Sequence, residues 1–132
     1  MKVGQTFDKV VVQDLKRTQI VQYAGASGDY NPLHTDDKFA KEAAGYPGVF
    51  AHGMLTMGMT GRLLTDWMGD GRLTKYGVRF SKQVWPGDTL TCTASVTGKR
   101  DEGGEHLVDL ACAVTNQDGV EVLSGTATAV AA

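Results

Sequence analysis

The chain has 132 residues, the size of one ordinary domain, and its hydrophobic fraction of 42% and charged fraction of 21% are typical of a globular protein. Its 13 basic and 15 acidic residues give a formal net charge of -2, which argues against an electrostatic nucleic-acid binder. We therefore predict a single domain over residues 1–132 that needs neither a metal nor a disulfide to fold.

The first seven residues contain no apolar core of a signal peptide, and no run approaches the roughly 18 apolar residues of a membrane span. We expect a cytoplasmic protein that does not associate with membranes. Cys92 and Cys112 fall in strand-like segments and lack the Cys-x-x-Cys spacing of a zinc site. They are expected to be reduced thiols.

The N-terminal segment mixes short elements. Residues 6–12 predict a strand, and Asp14 is a candidate cap for a helix over residues 16–24. Gly25 and Gly28 are expected to break that helix.

A loop and a short second helix follow. Residues 27–34 have the composition of a loop. Asp36 or Asp37 is suited to start a helix that extends through residues 39–44 and ends at Gly45.

Residues 53–68 predict the central element of the fold. A helix over these residues is apolar on nearly every side until its last turns, and such a helix belongs inside a protein. Gly58 and Gly61 lower its helix propensity, which suggests close approach of another backbone. Gly69 and Gly71 end it.

The second half of the chain predicts a series of strands with turns between them. The strands cover residues 76–80, 90–96, 107–114 and 120–130, with connections at 86–88, 99–105 and 116–119. One buried helix and an antiparallel meander predict an α+β domain in which a curved sheet wraps the helix and the first strand joins an edge or the middle. Such a sheet covers the helix poorly on one side, so we expect a dimer.

The loop over residues 27–34 combines a carboxylate and an imidazole five residues apart. Pro32 restricts the backbone, and Asn31 can bond to it as an Asx turn, so the side chains of Asp29 and His34 can be aimed into one cleft. An Asp/His pair suits general acid–base catalysis near neutral pH. The residue types alone equally allow an Asp29 that caps the next turn and a His34 that is satisfied within its loop.

The predicted helix over residues 53–68 begins at Gly53. Its first N–H groups lack partners within the helix, so the amide at Gly53 could polarise a carbonyl oxygen, and the missing Cβ would let a ligand approach closely. A plain helix start, with glycine chosen for the turn, accounts for the spacing as well.

These residues carry a resemblance. Tyr-x-x-x-Ser-Gly-Asp-x-Asn-Pro-Leu-His over residues 23–34, followed by Ala-His-Gly-Met-Leu over residues 51–55, resembles the MaoC-like, hydratase-2 family of hotdog-fold enzymes. The resemblance extends from about Val3 to the C-terminus. Among these proteins the chain looks most like the catalytic subunit of mycobacterial (3R)-hydroxyacyl-acyl-carrier-protein dehydratases.

The resemblance implies a hotdog fold around the helix over residues 53–68 and a hydro-lyase without cofactors. Its expected reaction is the (R)-specific hydration of trans-2-enoyl thioesters, or the dehydration of (3R)-hydroxyacyl thioesters, in fatty-acyl metabolism. Asp29 and His34 would be the catalytic pair, and Gly53 would donate its amide to the thioester carbonyl. Three further positions would support the loop and position the substrate, namely Ser27, Gly28 and Asn31.

Two further groups of residues are candidates for substrate contacts. The apolar candidates for the acyl chain are Tyr23, Phe50, Met54, Leu55, Met57 and Met59, each of which could equally belong to the core. The basic candidates for phosphates of the thioester carrier are Lys75, Arg79 and Lys82, each of which could equally be an ordinary solvated strand charge. No metal site is expected, because Asp36 and Asp37 are better explained as helix-starting residues.

Two other functions compete with the hydratase. A thioesterase would need a carboxylate on or beside the buried helix, where only Asp66 occurs, near the far end. A non-catalytic acyl-binding subunit would be expected to lack the pair of Asp29 and His34. The expected partners are acyl-CoA or acyl carrier protein as substrate, and a second hotdog subunit in a homodimer or heterodimer.

Overall fold

The computed structural model describes residues 1–131. Its elements are β1 (Thr6–Val12), α1 (Arg17–Ser27), a 3₁₀ turn (Pro32–His34), α2 (Asp37–Glu42), α3 (Gly53–Met68), β2 (Leu73–Phe80), β3 (Leu90–Glu102), β4 (Glu105–Thr115) and β5 (Glu121–Val130). Among these residues, no helix has both the length and the apolar character needed to cross a bilayer.

The five strands form one antiparallel sheet in the order β1-β3-β4-β5-β2. β1 therefore occupies one edge, as one of the two predicted positions, and β2 occupies the other. The register shifts once in each pairing, between Val96 and Gly98 for example. Such irregularities bend strands and increase their twist, which lets the sheet curve around a helix.

α3 packs on the inner face of this sheet. Its buried residues recur at helical spacing and are Thr56, Thr60, Leu63, Leu64 and Met68. They join a core supplied mainly by alternate residues of β3 and β4, from Leu90 to Val114. The predicted α+β architecture is therefore present, and the helix begins and ends at the predicted residues.

One line of α3 remains uncovered in the single chain. Met54, Gly58, Arg62 and Asp66 follow one another at intervals of four residues and are all exposed, Met54 by 57%. The prediction of a helix buried on nearly every side is wrong at these positions, because the curved sheet reaches only part of the helix circumference. This is the open side that a sheet wrapped around one helix was predicted to leave.

The start of α1 differs from the prediction. Asp14 does not cap the helix, because its backbone is left-handed (φ 51°) and its N–H donates to Thr89 Oγ1 at 3.0 Å. Lys16 is the N-cap residue, and its N–H donates to the side chain of Gln19 at 3.0 Å. The helix also continues through Gly25 and ends only where Gly28 adopts the left-handed conformation (φ 75°).

The connection between β3 and β4 also differs. Residues 99–105 were predicted to be a long hairpin loop, but both strands continue to Glu102 and Glu105, and only Gly103 and Gly104 form the turn. The charged residues pair along and across the strands, as Arg100 does with Asp109 at 3.2 Å. The charges therefore lie on a solvated strand pair.

The two cysteines are free and buried on neighbouring strands. Burial raises the pKa of Cys92 to about 12 and also raises the pKa of Cys112. Both are therefore protonated at neutral pH and unsuited to nucleophilic chemistry.

Gly125 permits the close pairing of β5 with β2. A Cβ at Gly125 would lie 2.5 Å from the carbonyl oxygen of Gly77 and 2.9 Å from Cγ1 of Val78, whereas a Cβ at Gly77 would meet no heavy atom within 4 Å. We expect Gly125→Ala to lower the free energy of unfolding by about 1–3 kcal/mol, since the strands must separate. Urea denaturation measures the change, and Gly77→Ala, on the paired strand, is the matched control. Equal stability of the two variants would contradict this account.

Candidate functional site

The loop that follows α1 is held by hydrogen bonds between its own residues. Ser27 Oγ donates to the carbonyl of Tyr23 at 2.7 Å and accepts from the N–H of Asp29 at 3.2 Å. The Asp29 carboxylate accepts from the N–H of Asn31 at 3.2 Å, and the Asn31 side chain accepts from the N–H of Leu33 at 3.0 Å. These turns fix the shape of the loop locally, and Asn31 forms the predicted Asx turn.

His34 ends the 3₁₀ turn with a defined orientation. Its Nδ1 lies 2.7 Å from the carbonyl oxygen of Phe50, and the Phe50 ring meets the imidazole edge-on at 5.1 Å. A carbonyl oxygen only accepts, so Nδ1 carries the hydrogen and Nε2 keeps a free lone pair in the neutral ring. His34 is therefore oriented to accept a proton at Nε2.

His52 is the third polar residue of the site and the N-cap residue of α3. It is 2% exposed, and its Nε2 lies 3.0 Å from the main-chain oxygen of Asp29. Its ring stacks on His34 with 3.8 Å between centroids and 25° between planes. The loop and the start of α3 are thereby in contact.

A side-chain oxygen of Asp29 and a ring nitrogen from each of His34 and His52 lie within 4.8 Å of one another. These are metal-ligand types, but the two rings are nearly parallel, so a single ion about 2.0–2.1 Å from each nitrogen could not lie in both ring planes. The residues therefore fit a metal poorly. A separation of up to 4.8 Å between a carboxylate and an imidazole suits one molecule of water between them, at two ordinary hydrogen-bond lengths.

Gly53 opens α3 beside a cavity of about 280 Å³. The first N–H groups of a helix have no partner within it, and the helix dipole makes this end attractive to negative charge. The cavity is lined by Phe50, Ala51, Gly53, Thr56, Phe80, Ser81, Lys82, Gln83, Val84 and Val122. Phe50 therefore both lines this cavity and orients His34.

Asp37 braces the site from the side of α2. Its carboxylate accepts from the N–H of Val49 at 3.0 Å and pairs with Arg17 at 2.5 Å, which joins α1, α2 and the segment before α3. The Val49 amide, and after it Arg17, hold the pKa of the Asp37 carboxyl below its ordinary value of 3.8. The neighbouring Asp36 caps α2 by accepting from the N–H of Phe39, as predicted for one of these two residues.

The structure places Asp29 and His34 beside His52, the residue before Gly53, but none of the five loop candidates lines the cavity at Gly53. The apolar candidates are also separated from one another. Tyr23 packs edge-on against His52 at 4.9 Å, away from the cavity wall, while Phe50 forms part of that wall. Leu55, Met57 and Met59 are partly buried against the core. Met54 lies largely exposed next to Gly53.

The three basic candidates also occupy different places. Lys82 lines the cavity beside Gly53. Arg79 lines a separate open groove with Thr93 and Ser95 of β3, and Lys75 is exposed on β2. Only Lys82 is placed to meet a charged group of a ligand in the cavity.

Sequence reasoning missed several contacts at the site. The link from His52 to Asp29 had one available signal, the position of His52 directly before Gly53. The orienting carbonyl of Phe50 and the lining residues Val84 and Val122 had none, because main-chain positions and distant strands are brought together only by the fold.

Comparisons with known proteins identify the family of the chain. A family model described as "MaoC like domain" matches residues 1–117. The 3-hydroxyacyl-thioester dehydratase Y of Mycobacterium tuberculosis is 46% identical over 68 residues, which are 49% of this chain and 23% of that protein. The enoyl-CoA hydratase ChsH3 of the same organism is 42% identical over 101 residues, or 74% of this chain and 32% of that protein. The chain thus spans a third or less of the length of these curated relatives.

A solved structure matches the entire fold. The (R)-hydratase from A. caviae involved in PHA biosynthesis superposes with a TM-score of 0.87 at 26% identity, over 100% of this chain and 98% of that one. The predicted hotdog arrangement is confirmed by this match.

The contacts of the Asp37 carboxylate with Val49 and Arg17 make the stability of the fold depend on pH. Because the folded-state pKa is lowered, the contribution of Asp37 is present above about pH 4 and is lost as the pH falls through the folded value. We expect Asp37→Asn to melt at a lower temperature than the native chain at pH 7, with the difference narrowing toward pH 2. Thermal unfolding followed by circular dichroism from pH 2 to 7 measures this. Asp70→Asn, which removes an exposed carboxylate, is the control, and a difference independent of pH would contradict the linkage.

Proposed function

Because the chain belongs to the MaoC-like domain family, we propose that it is a hydro-lyase for acyl thioesters. It hydrates trans-2-enoyl thioesters to (3R)-hydroxyacyl thioesters, or catalyses the reverse dehydration, with CoA or acyl carrier protein as the carrier. The observation that carries this proposal is the approach of the Asp29 carboxylate to the imidazole of His34, beside the N-terminus of α3. The names of the relatives and of the matching structure support the same reaction class.

In the proposed reaction, Asp29 and His34 transfer protons, and the N-terminus of α3 binds the thioester oxygen. Water held between Asp29 and Nε2 of His34 adds its oxygen to C3 of the enoyl group, one residue accepts its proton, and the other delivers a proton to C2. Dehydration reverses these transfers. Well-placed acid–base groups contribute about 10²–10⁴-fold to the rate. Nothing in the two transfers requires an electron carrier.

The Gly53 amide stabilises the charge that develops during addition. Attack at C3 moves electron density onto the thioester oxygen, and an N–H at the start of α3 donates to that oxygen. Such a donor contributes about 3 kcal/mol to transition-state stabilisation when water is excluded. The ring of Phe80 lies close to Gly53, where a Cβ would meet it at 3.1 Å, and Gly53 is exposed in the single chain.

A second hotdog subunit is part of the proposal. Met54, at the start of the exposed line of α3, and the half-exposed Phe80 place apolar surface beside the cavity, and burial of such surface stabilises association. A homodimer or a heterodimer with a second hotdog chain would cover it. The acyl chain would then lie between Phe50 and the covered surface near Met54.

The other two functions have less support. Asp66, the one carboxylate within α3, lies about 20 Å along the helix from Gly53 and pairs with Lys9 at 3.4 Å, so it is badly placed for thioester hydrolysis at the cavity. A non-catalytic acyl-binding subunit would have no use for an oriented pair. Binding of acyl-CoA without turnover, or release of free CoA, would identify these alternatives.

The first test is the loss of enoyl absorbance when the purified protein meets crotonyl-CoA and longer enoyl-CoAs. We expect hydration by the native chain, an (R) product by chiral chromatography, and losses of at least about 10²-fold in kcat for both Asp29→Asn and His34→Gln, because each removes one proton-transfer group. Asp70→Asn and His106→Gln make the same changes at exposed positions and should retain native rates. Turnover that survives at Asp29→Asn or His34→Gln would refute the mechanism.

A second test concerns the carrier. Lys82 is the basic candidate on the cavity wall, so Lys82→Gln should raise KM for enoyl-CoA several-fold with little change in kcat, since the phosphates lie far from the reacting carbons. The matched control is Lys75→Gln, an exposed lysine on β2, which ends two residues before Lys82. An unchanged KM in Lys82→Gln, or equal changes in KM in Lys82→Gln and Lys75→Gln, would exclude a contact between Lys82 and the phosphates.

A further inference from the structure

His52 has an unusual environment for a polar side chain. It is 2% exposed, and its Nδ1 is the one buried side-chain nitrogen or oxygen without a hydrogen-bond partner among residues 1–131. Its Nε2 meets only a carbonyl oxygen, that of Asp29, so Nε2 carries the hydrogen and Nδ1 holds a lone pair. The side chain thus makes one directed hydrogen bond, and that bond goes to the main chain of the proposed catalytic Asp29.

This bond is the long-range attachment of Asp29. Its other hydrogen bonds go to Ser27 and Asn31, which lie two residues away and belong to the same loop. Bonds within a loop fix its shape but not its place relative to α3. His34, in contrast, has an attachment of its own through the carbonyl of Phe50.

We propose that His52 is a positioning residue of the hydratase reaction, an inference that rests on the proposed function. Its side chain holds the main chain of Asp29, and its own main chain leads directly into Gly53 at the start of α3. One residue therefore sets the separation between the acid–base carboxylate and the amide that receives the carbonyl oxygen. His52 also stacks on His34, so the imidazole of the proposed acid–base pair lies against the ring of the same residue.

Two substitutions distinguish the effect of the His52 hydrogen bond from the effect of its ring stack on His34. His52→Gln can present an amide N–H near the position of Nε2 but lacks the ring, whereas His52→Phe keeps a ring for the stack but has no donor. We expect His52→Phe to lower kcat about 10²-fold with KM little changed, because misplacement of a reacting group by about 1 Å has an effect of that size. We expect His52→Gln to remain within a few-fold of the native kcat, with an unchanged shape of the pH–rate profile.

The controls are His106→Phe and His106→Gln, which make the same changes at an exposed histidine. Native kcat in His52→Phe would overturn the proposal. Equal large losses in both His52 variants, with an altered pH–rate profile, would overturn it in favour of direct proton transfer by His52. If His52→Phe does not fold by circular dichroism, His52→Asn replaces it, since its shorter amide cannot reach the Asp29 carbonyl.

Nuclear magnetic resonance keeps the two proposals distinguishable. ¹⁵N resonances of the imidazole should show the hydrogen of His52 on Nε2, and the carbonyl ¹³C resonance of Asp29 should move in His52→Phe but not in His52→Gln. These signals do not depend on turnover. An inactive native chain would reject the proposed reaction, and the resonances would still show whether His52 bonds to the main chain of Asp29. A hydrogen on Nδ1 of His52 would reject the bond itself.

Discussion

Burial of one face of α3 against the curved sheet is the contact on which the other features depend. The residues from Thr56 to Met68 that enter the core fix both the rotation of the helix and the depth at which it lies. Its N-terminus is thereby placed at the end of the sheet where Val84 and Val122 close the cavity. The depth of Gly53 relative to the sheet therefore depends on apolar packing several turns away along α3.

The site joins two kinds of restraint. Hydrogen bonds among residues 23–33 act over two to four positions and give the loop its shape. Contacts of His34 with Phe50, of Asp29 with His52 and of Asp37 with Val49 act across the fold and give the loop its place. The first kind can form in a short peptide, while the second requires that α3 has already packed on the sheet.

This division explains what could be predicted from the sequence. The apolar run that ends before Gly69 located α3, because that signal is local. Gly28 ends α1 as predicted, whereas Gly25 does not break it. Asp14 was misassigned as a cap because its left-handed backbone is held by Thr89, a residue 75 positions away. The motif pointed to Asp29 and His34, but not to their orienting partners, the main-chain carbonyl of Phe50 and the side chain of His52, because these contacts form only in the folded chain.

The loop that carries Asp29 is attached to the remainder of the chain by few contacts, whereas β3, β4 and β5 share long pairings and a continuous core. Opening of such a segment requires far less free energy than opening of the sheet. On warming, we therefore expect the arrangement of Asp29 and His34 to be lost at temperatures where the sheet is still intact. Substitutions that strengthen the attachments of residues 27–34 would therefore protect this arrangement more than substitutions that stabilise the core.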